Sequence, residues 1–423
     1  MKEFFRSFFA SLLAIIVSGV VFVFLIVAMV AAVAKSVTEK ESKTVTGDVL
    51  VIDITKKIHE QGESNPFAAF SESAAYRAGL YDMIKALAEA KFDDDIKGVY
   101  LKLGPSPNGW ATLQELREAL VDFHKSGKFV YSYGENITQG AYYVATASDS
   151  IFVNPAGSIE LKGMATTLAF FKGTLDKLEI EPEIFYAGKF KSATEPFRAD
   201  KMSEPNKIQV KAFQDGMWQE FLKAAAAYMH TSADSVNQLA QNGTIQFPAD
   251  AVKVGMVAGL RYRDEIEQLV GRKTGKATGA VLETVSINDY ADQVRSSAAG
   301  TQERIAVLCA EGDIVDGEQT DSWQIASVTL SEEIKKLRKS DKVKAVVLRV
   351  NSPGGSALAS EVILRELMLL QQKKPLVVSM GNYAASGGYY ISSHADSIFA
   401  LHGDRYMRPA IEVMANLPDA ATD

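Results

Sequence analysis

The chain repeats itself. One constant shift lays Val99 to Leu103 ("VYLKL") on Val346 to Val350 ("VVLRV"), and Val130 to Gly134 ("VYSYG") on Val377 to Gly381 ("VVSMG"). The same shift lays Gln139-Gly140-Ala141-Tyr142-Tyr143 on Ser386-Gly387-Gly388-Tyr389-Tyr390, and Asp149 to Phe152 on Asp396 to Phe399. A gapless register of this kind restricts the fold to two copies of one supersecondary unit. Within each copy, short apolar strand-like runs alternate with helix-like stretches such as "LQELREALVDFHKSG". That alternation predicts α/β architecture with largely parallel pairing. Between the copies, "KIQVKAFQDGMWQEFLKAAAAYMH" has helical spacing, and "FPADAVKVGMVAGL" reads as a further helix ending at Gly259.

The N-terminus sets a second constraint. From Ser7 to Ala34 there is no charged residue, and about 20 apolar residues suffice to cross a bilayer core. Lys2 and Arg6 precede the run, which favours an inside N-terminus and an outside body. Ala32-Val33-Ala34 has the form of a cleavage site, but the apolar stretch exceeds the roughly 7–15 residues of a signal peptide core. A retained anchor is expected. The resulting division is an anchor over 1–34, a polar linker over 35–48, a first domain over 49–260, a connecting segment over 261–304 and a second domain over 305–423.

Net charge is −7, which argues against nucleic acid as a partner. The single cysteine, Cys309, excludes an internal disulfide and a thiolate metal cluster, and no cofactor is implied. "GRKTGK" lacks the spacing of a phosphate-binding loop.

The repeat differs where chemistry could reside. Ser386 lies between the apolar run "PLVVSM" and a helical run read as "GGYYISSHADSIF", and Gln139 takes its place in the first copy. A strand-to-helix turn can present the hydroxyl and aim the Gly387 N–H at a developing oxyanion. A plain helix-capping serine fits the same position. Pro353-Gly354-Gly355 makes a second turn, whose backbone can be approached closely and can supply another oxyanion N–H. It also reads as a simple connector. In the first copy Pro107 falls on Gly354, and proline has no N–H. The first copy has therefore lost the hydroxyl and one donor together.

A serine nucleophile needs a base. His394 is about 12 Å along the helix from Ser386 at 1.5 Å per residue, and the other histidines have ordinary surroundings. Lys189 and Lys191 lie in what reads as an extended segment before Pro196, and spacing alone selects neither.

"RVNSPGGSALASE", "MGNYAASGGYYIS" and "GKFKSATEPFR" together resemble the signal peptide peptidase A family, also called protease IV, in its long tandem form. The resemblance implies tandem Clp protease/crotonase-like domains behind one transmembrane helix. It implies a serine endopeptidase with Ser386 as nucleophile and Lys191 as general base, and an oxyanion and substrate-binding region at Gly354, Gly355 and Gly387. The family degrades remnant signal peptides, so cleaved signal peptides, the membrane and further copies of the chain are the implied partners, with a tetramer among the oligomers. In a bacterium this places the chain in the cytoplasmic membrane with its body on the periplasmic side. A crotonase-type acyl-CoA enzyme would share the oxyanion geometry but has no use for a serine at 386.

After "HADSIFA" the chain reads "LHGDRYMRPAIEVMANLPDAATD" where the family would continue much as the first copy does. This reads as a truncated or frame-shifted C-terminus, with an inactive scaffold of the same fold as the alternative function.

Overall fold

Apolar runs such as "GVYLKL" and "VVLRV" are hydrophobic on both faces, which suits parallel strands covered by helices on each side. A computed structural model describes residues 1–38, 47–65, 76–186, 188–276, 282–297 and 303–400. Part of the linker and the tail from 401 lie outside the described residues.

The N-terminal run forms α1 (Lys2–Thr38). Its residues 2–28 are long and apolar enough to cross a membrane, and none of their most apolar stretch is buried against the protein. The first unit then runs β1 (Val49–Asp53), β2 (Glu63–Ser64), β3 (Tyr76–Arg77), α2 (Leu80–Ala90), β4 (Gly98–Leu103), α3 (Trp110–His124), β5 (Phe129–Ile137), α4 (Gln139–Ala145) and β6 (Ser150–Ile159). After it come α5 (Lys172–Lys177), α6 (Glu195–Arg198), the long α7 (Glu204–Tyr228), α8 (Ala233–Gln241), α9 (Pro248–Lys253), β7 (Gly259–Leu260), α10 (Arg263–Lys273), β8 (Thr284–Ser286) and α11 (Ile287–Ser297). The second unit comprises β9 (Arg304–Val315), β10 (Gln324–Ala326), α12 (Ser327–Lys339), β11 (Val343–Gly355), α13 (Ala357–Gln371), β12 (Leu376–Ala384), α14 (Gly387–Ser392) and β13 (Ser397–Phe399).

Two parallel sheets result, in the orders β7-β6-β5-β4-β1-β8 and β10-β9-β11-β12-β13. The repeat is visible in them: β1-β4-β5-β6 of the first corresponds to β9-β11-β12-β13 of the second. The α/β class with parallel sheets behind an apolar helix is thus the observed architecture. Each sheet has its own core. Leu50, Leu101 and Val130 pack with Leu87, Leu116 and Tyr142 in the first, and Val346, Leu348 and Val378 pack with Ile363 and Leu367 in the second.

Three local expectations are revised. The run after Ser386 is helical only to Ser392, and Ser397–Phe399 instead pairs with β12. Asp396 accepts from Leu376 N at 2.7 Å and so ties the two strands together, as Asp149 does by accepting from Val130 N in the first copy. The helix of "FPADAVKVGMVAGL" stops at Lys253, because Gly255 has φ +75 and turns the chain into β7. The Lys189–Lys191 segment is not extended: Gly188 has φ +80, and the chain turns there before entering α6.

The two units meet around one charged residue. Arg349 of β11 is fully buried and donates to Glu60 (Nε to Oε2, 2.8 Å) and Glu115 (2.6 Å), both from the first unit. Burial pushes the Glu115 carboxyl up to about 7 despite Arg349, and its Oε2 has no hydrogen-bond partner. Burial alone would lower the Arg349 pKa, but Glu115 and Glu60 hold it above its usual range, so the arginine stays charged. Two buried carboxylates share one guanidinium, and for Glu115 the loss of solvation outweighs the pull of Arg349. A carboxyl raised in the folded state stabilises the fold below its unfolded pKa, and that contribution is lost as pH rises towards 7. Urea unfolding between pH 5 and pH 8 is expected to lose roughly 3 kcal/mol from this group, at about 1.4 kcal/mol per unit. Glu115→Gln should flatten that part of the profile.

Candidate active site

Ser386 joins β12 to α14 in a backbone conformation that residues with a Cβ rarely adopt, with φ 50 and ψ −117. Such strain costs about 1–3 kcal/mol and persists only where the surroundings impose it. A serine serving only as a cap would accept a hydrogen bond from the first helical turn. Ser356 at the start of α13 does so from Ala359 N, with ordinary φ. Ser386 makes no such bond, and its side chain is exposed. The corresponding helix of the first copy is capped conventionally: Thr138 has φ −71, and its side chain accepts from Ala141 N. The strained turn is thus present in the copy with the hydroxyl and absent from its twin.

The Pro353-Gly354-Gly355 turn lies directly against this serine. Gly354 has φ +102, and a Cβ there would come within 2.7 Å of both Ser386 Cβ and Gly387 N. A Cβ on Gly355, at φ +155, would come within 2.1 Å of Ile314 O. Gly387 is buried, and as the first residue of α14 its N–H has no acceptor within the helix. The Gly354 N–H donates to Ser352 Oγ at 3.1 Å, and that hydroxyl donates to Gly312 O at 2.6 Å. Ser386, Gly387, Gly354 and Gly355 therefore form one constellation. Gly354→Ala is expected to lower kcat/KM about 100-fold, because displacement of a reacting group by about 1 Å can cost that much. The thermal transition should fall as well, because a Cβ at this buried, positive-φ position would press on Ser386 and on the Gly387 backbone.

The matching place in the first copy is filled by its own side chains. Asn108, aligned on Gly355, is buried; it donates to Ile54 O and Lys56 O and accepts from Ile58 N. Gln139 Oε1 accepts from Lys162 N at 2.9 Å and Gly163 N at 3.1 Å.

Lys191 is exposed, just beyond the Gly188 turn, and no hydrogen bond or ion pair joins it to Ser386 among the described residues. Its segment is pinned from behind by Glu195, which is 1% exposed. Glu195 accepts from the Ser203 hydroxyl, from Ser203 N and from Asn206 Nδ2 at 2.8 Å, and the Ser203 bond holds its carboxyl below the usual range. Phe185, Phe190 and Phe197 around Lys191 are all exposed.

Among the described residues no histidine is hydrogen-bonded to Ser386. His394 lies beyond the end of α14 and pairs with Ser393 Oγ at 3.0 Å. His59 stacks on Trp323 with centroids 3.4 Å apart, and its Nδ1 is 3.0 Å from Glu311 Oε1. The Cys309 thiol is pushed up to about 12 by burial, which makes it a poor nucleophile.

Fold and site together define a tandem α/β protein in which one copy carries a strained, uncommitted serine and the other has its equivalent place filled in. Residues 122–274 and 368–403 match peptidase family S49, and these segments include Lys191 and Ser386. The chain is 36% identical over 331 residues to Protease 4 of Salmonella typhi, covering 76% of this chain and 53% of that protein. It is 34% identical over 340 residues to Protease 4 of Haemophilus influenzae, covering 78% and 55%. It is 30% identical over 359 residues to the chloroplastic serine protease SPPA of Arabidopsis thaliana, covering 84% and 52%. The chain is thus similar to peptidase family S49 over these residues and to these proteases over most of its length. It spans about half the length of the curated relatives it matches.

Proposed function

We propose that this chain is a membrane-anchored serine endopeptidase that cleaves remnant signal peptides, with Ser386 as nucleophile and Lys191 as general base. The observation that carries the reading is the Ser386 backbone at φ 50 with its hydroxyl free of any capping bond. A residue held in that conformation and put to no structural use is the signature of a presented nucleophile. Ser386 Oγ attacks the peptide carbonyl and gives its proton to the Lys191 amine, which passes it to the leaving nitrogen. The N–H groups of Gly387 and Gly355 stabilise the oxyanion, joined by Gly354 if Ser352 Oγ gives up its bond.

A lysine base must be neutral, yet at pH 7 only about one free lysine in a few thousand is. Desolvation lowers that pKa. The exposed aromatic residues around Lys191 supply the apolar cover once a second copy of the chain packs on them, so the dyad is completed on assembly. Lys2 and Arg6 in the first turns of α1 support an inside N-terminus and a body on the periplasmic side of a bacterial cytoplasmic membrane. The test is hydrolysis of a synthetic signal peptide by the full chain in lipid nanodiscs. Cleavage within the apolar stretch is the expected result. A folded chain that leaves the peptide intact under all assembly conditions contradicts the reading and favours an inert scaffold.

A further inference from the structure

The charge cluster between the units has no part in the chemistry above, yet it reaches the nucleophile's loop. Glu60 is 2% exposed and uses both carboxylate oxygens: Oε2 accepts from Arg349 Nε at 2.8 Å, and Oε1 accepts from Asn351 Nδ2 at 2.9 Å. Asn351 Oδ1 in turn accepts from the backbone N–H of Tyr383 at 3.2 Å, near the end of the strand β12 that leads to Ser386. Glu60 is itself fixed from the other side, since its N–H donates to Glu311 Oε2 at 2.8 Å. The fit is close: a Cβ on Gly381 would come within 2.8 Å of Glu60 Oε1. A second link runs beside the first, with Asn382 Nδ2 donating to Thr112 Oγ1 at 2.8 Å and Asn382 Oδ1 accepting from Thr112 N at 3.2 Å.

The repeated unit can be built without a buried arginine at this place. In the first copy the place of Arg349 is taken by Lys102, which is only half-buried. A buried ion pair often adds no net stability over apolar residues of the same volume, and the use best attested for it is to fix a geometry. Here the geometry they fix is that of the strand end leading into a strained residue.

We propose that Glu60 of the first unit is a positioning residue for the nucleophile: acting through Asn351, it holds the Tyr383–Ser386 turn in its strained conformation. The inference rests on the reading of Ser386 as the nucleophile, and it gives the degenerate first unit a structural part in setting up the site. Glu115 makes the contrast. It shares Arg349 but has no bond to Asn351 or to the turn.

The experiment is hydrogen exchange by mass spectrometry on the full chain in nanodiscs at pH 7, paired with the rate of fluorophosphonate labelling. Glu60→Gln is expected to speed exchange in the 381–388 peptide about tenfold and to slow labelling about as much, the loss of one charge-assisted bond. Glu60→Asp should recover part of both, and Glu115→Gln should change neither by more than about twofold. Should Glu60→Gln fail to fold, Asn351→Ala removes the bonds to Glu60 and to Tyr383 and leaves the Arg349 pairs; the same acceleration is expected. Unchanged exchange in the 381–388 peptide overturns the proposal, as does equal loosening by Glu115→Gln. If exchange responds as expected but the wild-type chain takes up no probe, the positioning stands and the nucleophile assignment falls.

Discussion

Ser386→Ala is expected to abolish peptide hydrolysis and fluorophosphonate uptake, with a fall of about 1,000-fold or more, as when a covalent nucleophile is removed. Folding should be little affected, and the direction of any change is informative. The Ser386 side chain makes no capping bond, so its loss sacrifices no native interaction. Alanine in the same strained conformation keeps the Cβ cost unchanged. A serine acting as a helix cap would instead cost about 1 kcal/mol on removal. Thermal unfolding of the variant therefore separates the two roles independently of any activity measurement.

Lys191→Met should be nearly as damaging, with a fall of about 100- to 10,000-fold, the usual contribution of a positioned general base. Methionine keeps the apolar length of the side chain and removes only the amine. The rate of fluorophosphonate labelling at Ser386 should fall together with peptide hydrolysis in the variant. Assembly adds a second signature. Lys191 and its aromatic neighbours are exposed in the single chain, so activity should rise with protein concentration as copies cover them. A variant that keeps wild-type rates of hydrolysis and labelling assigns the base elsewhere.

Much of the architecture was legible in the sequence because a repeat constrains every level at once. The register that lays Val99 on Val346 also places β4 and β11 at equivalent positions in their sheets. The contrast between Gln139 and Ser386 marked one copy as chemically distinct. The strain at Ser386 was not legible, since φ at a turn is imposed by the packing of Gly354 and Gly387 against it. Nor was the Arg349–Glu60 pair, whose members are 289 residues apart in sequence. Apolar periodicity misled over "SSHADSIF". An edge strand there pairs with β12, and pairing with a distant partner leaves no local mark. The segment carrying Lys191 was misread for a related reason. Gly188 supplies a positive φ that turns the chain, and a lone glycine does not announce this by spacing.

The central claim is that Ser386 is a presented nucleophile, and the measurement that tests it most directly locates the adduct. The full chain in nanodiscs is treated with a fluorophosphonate probe, digested and mapped by tandem mass spectrometry. The account predicts a single modified site at Ser386, absent from the Ser386→Ala chain. A chain that cleaves peptide while its adduct lies on another serine would contradict it.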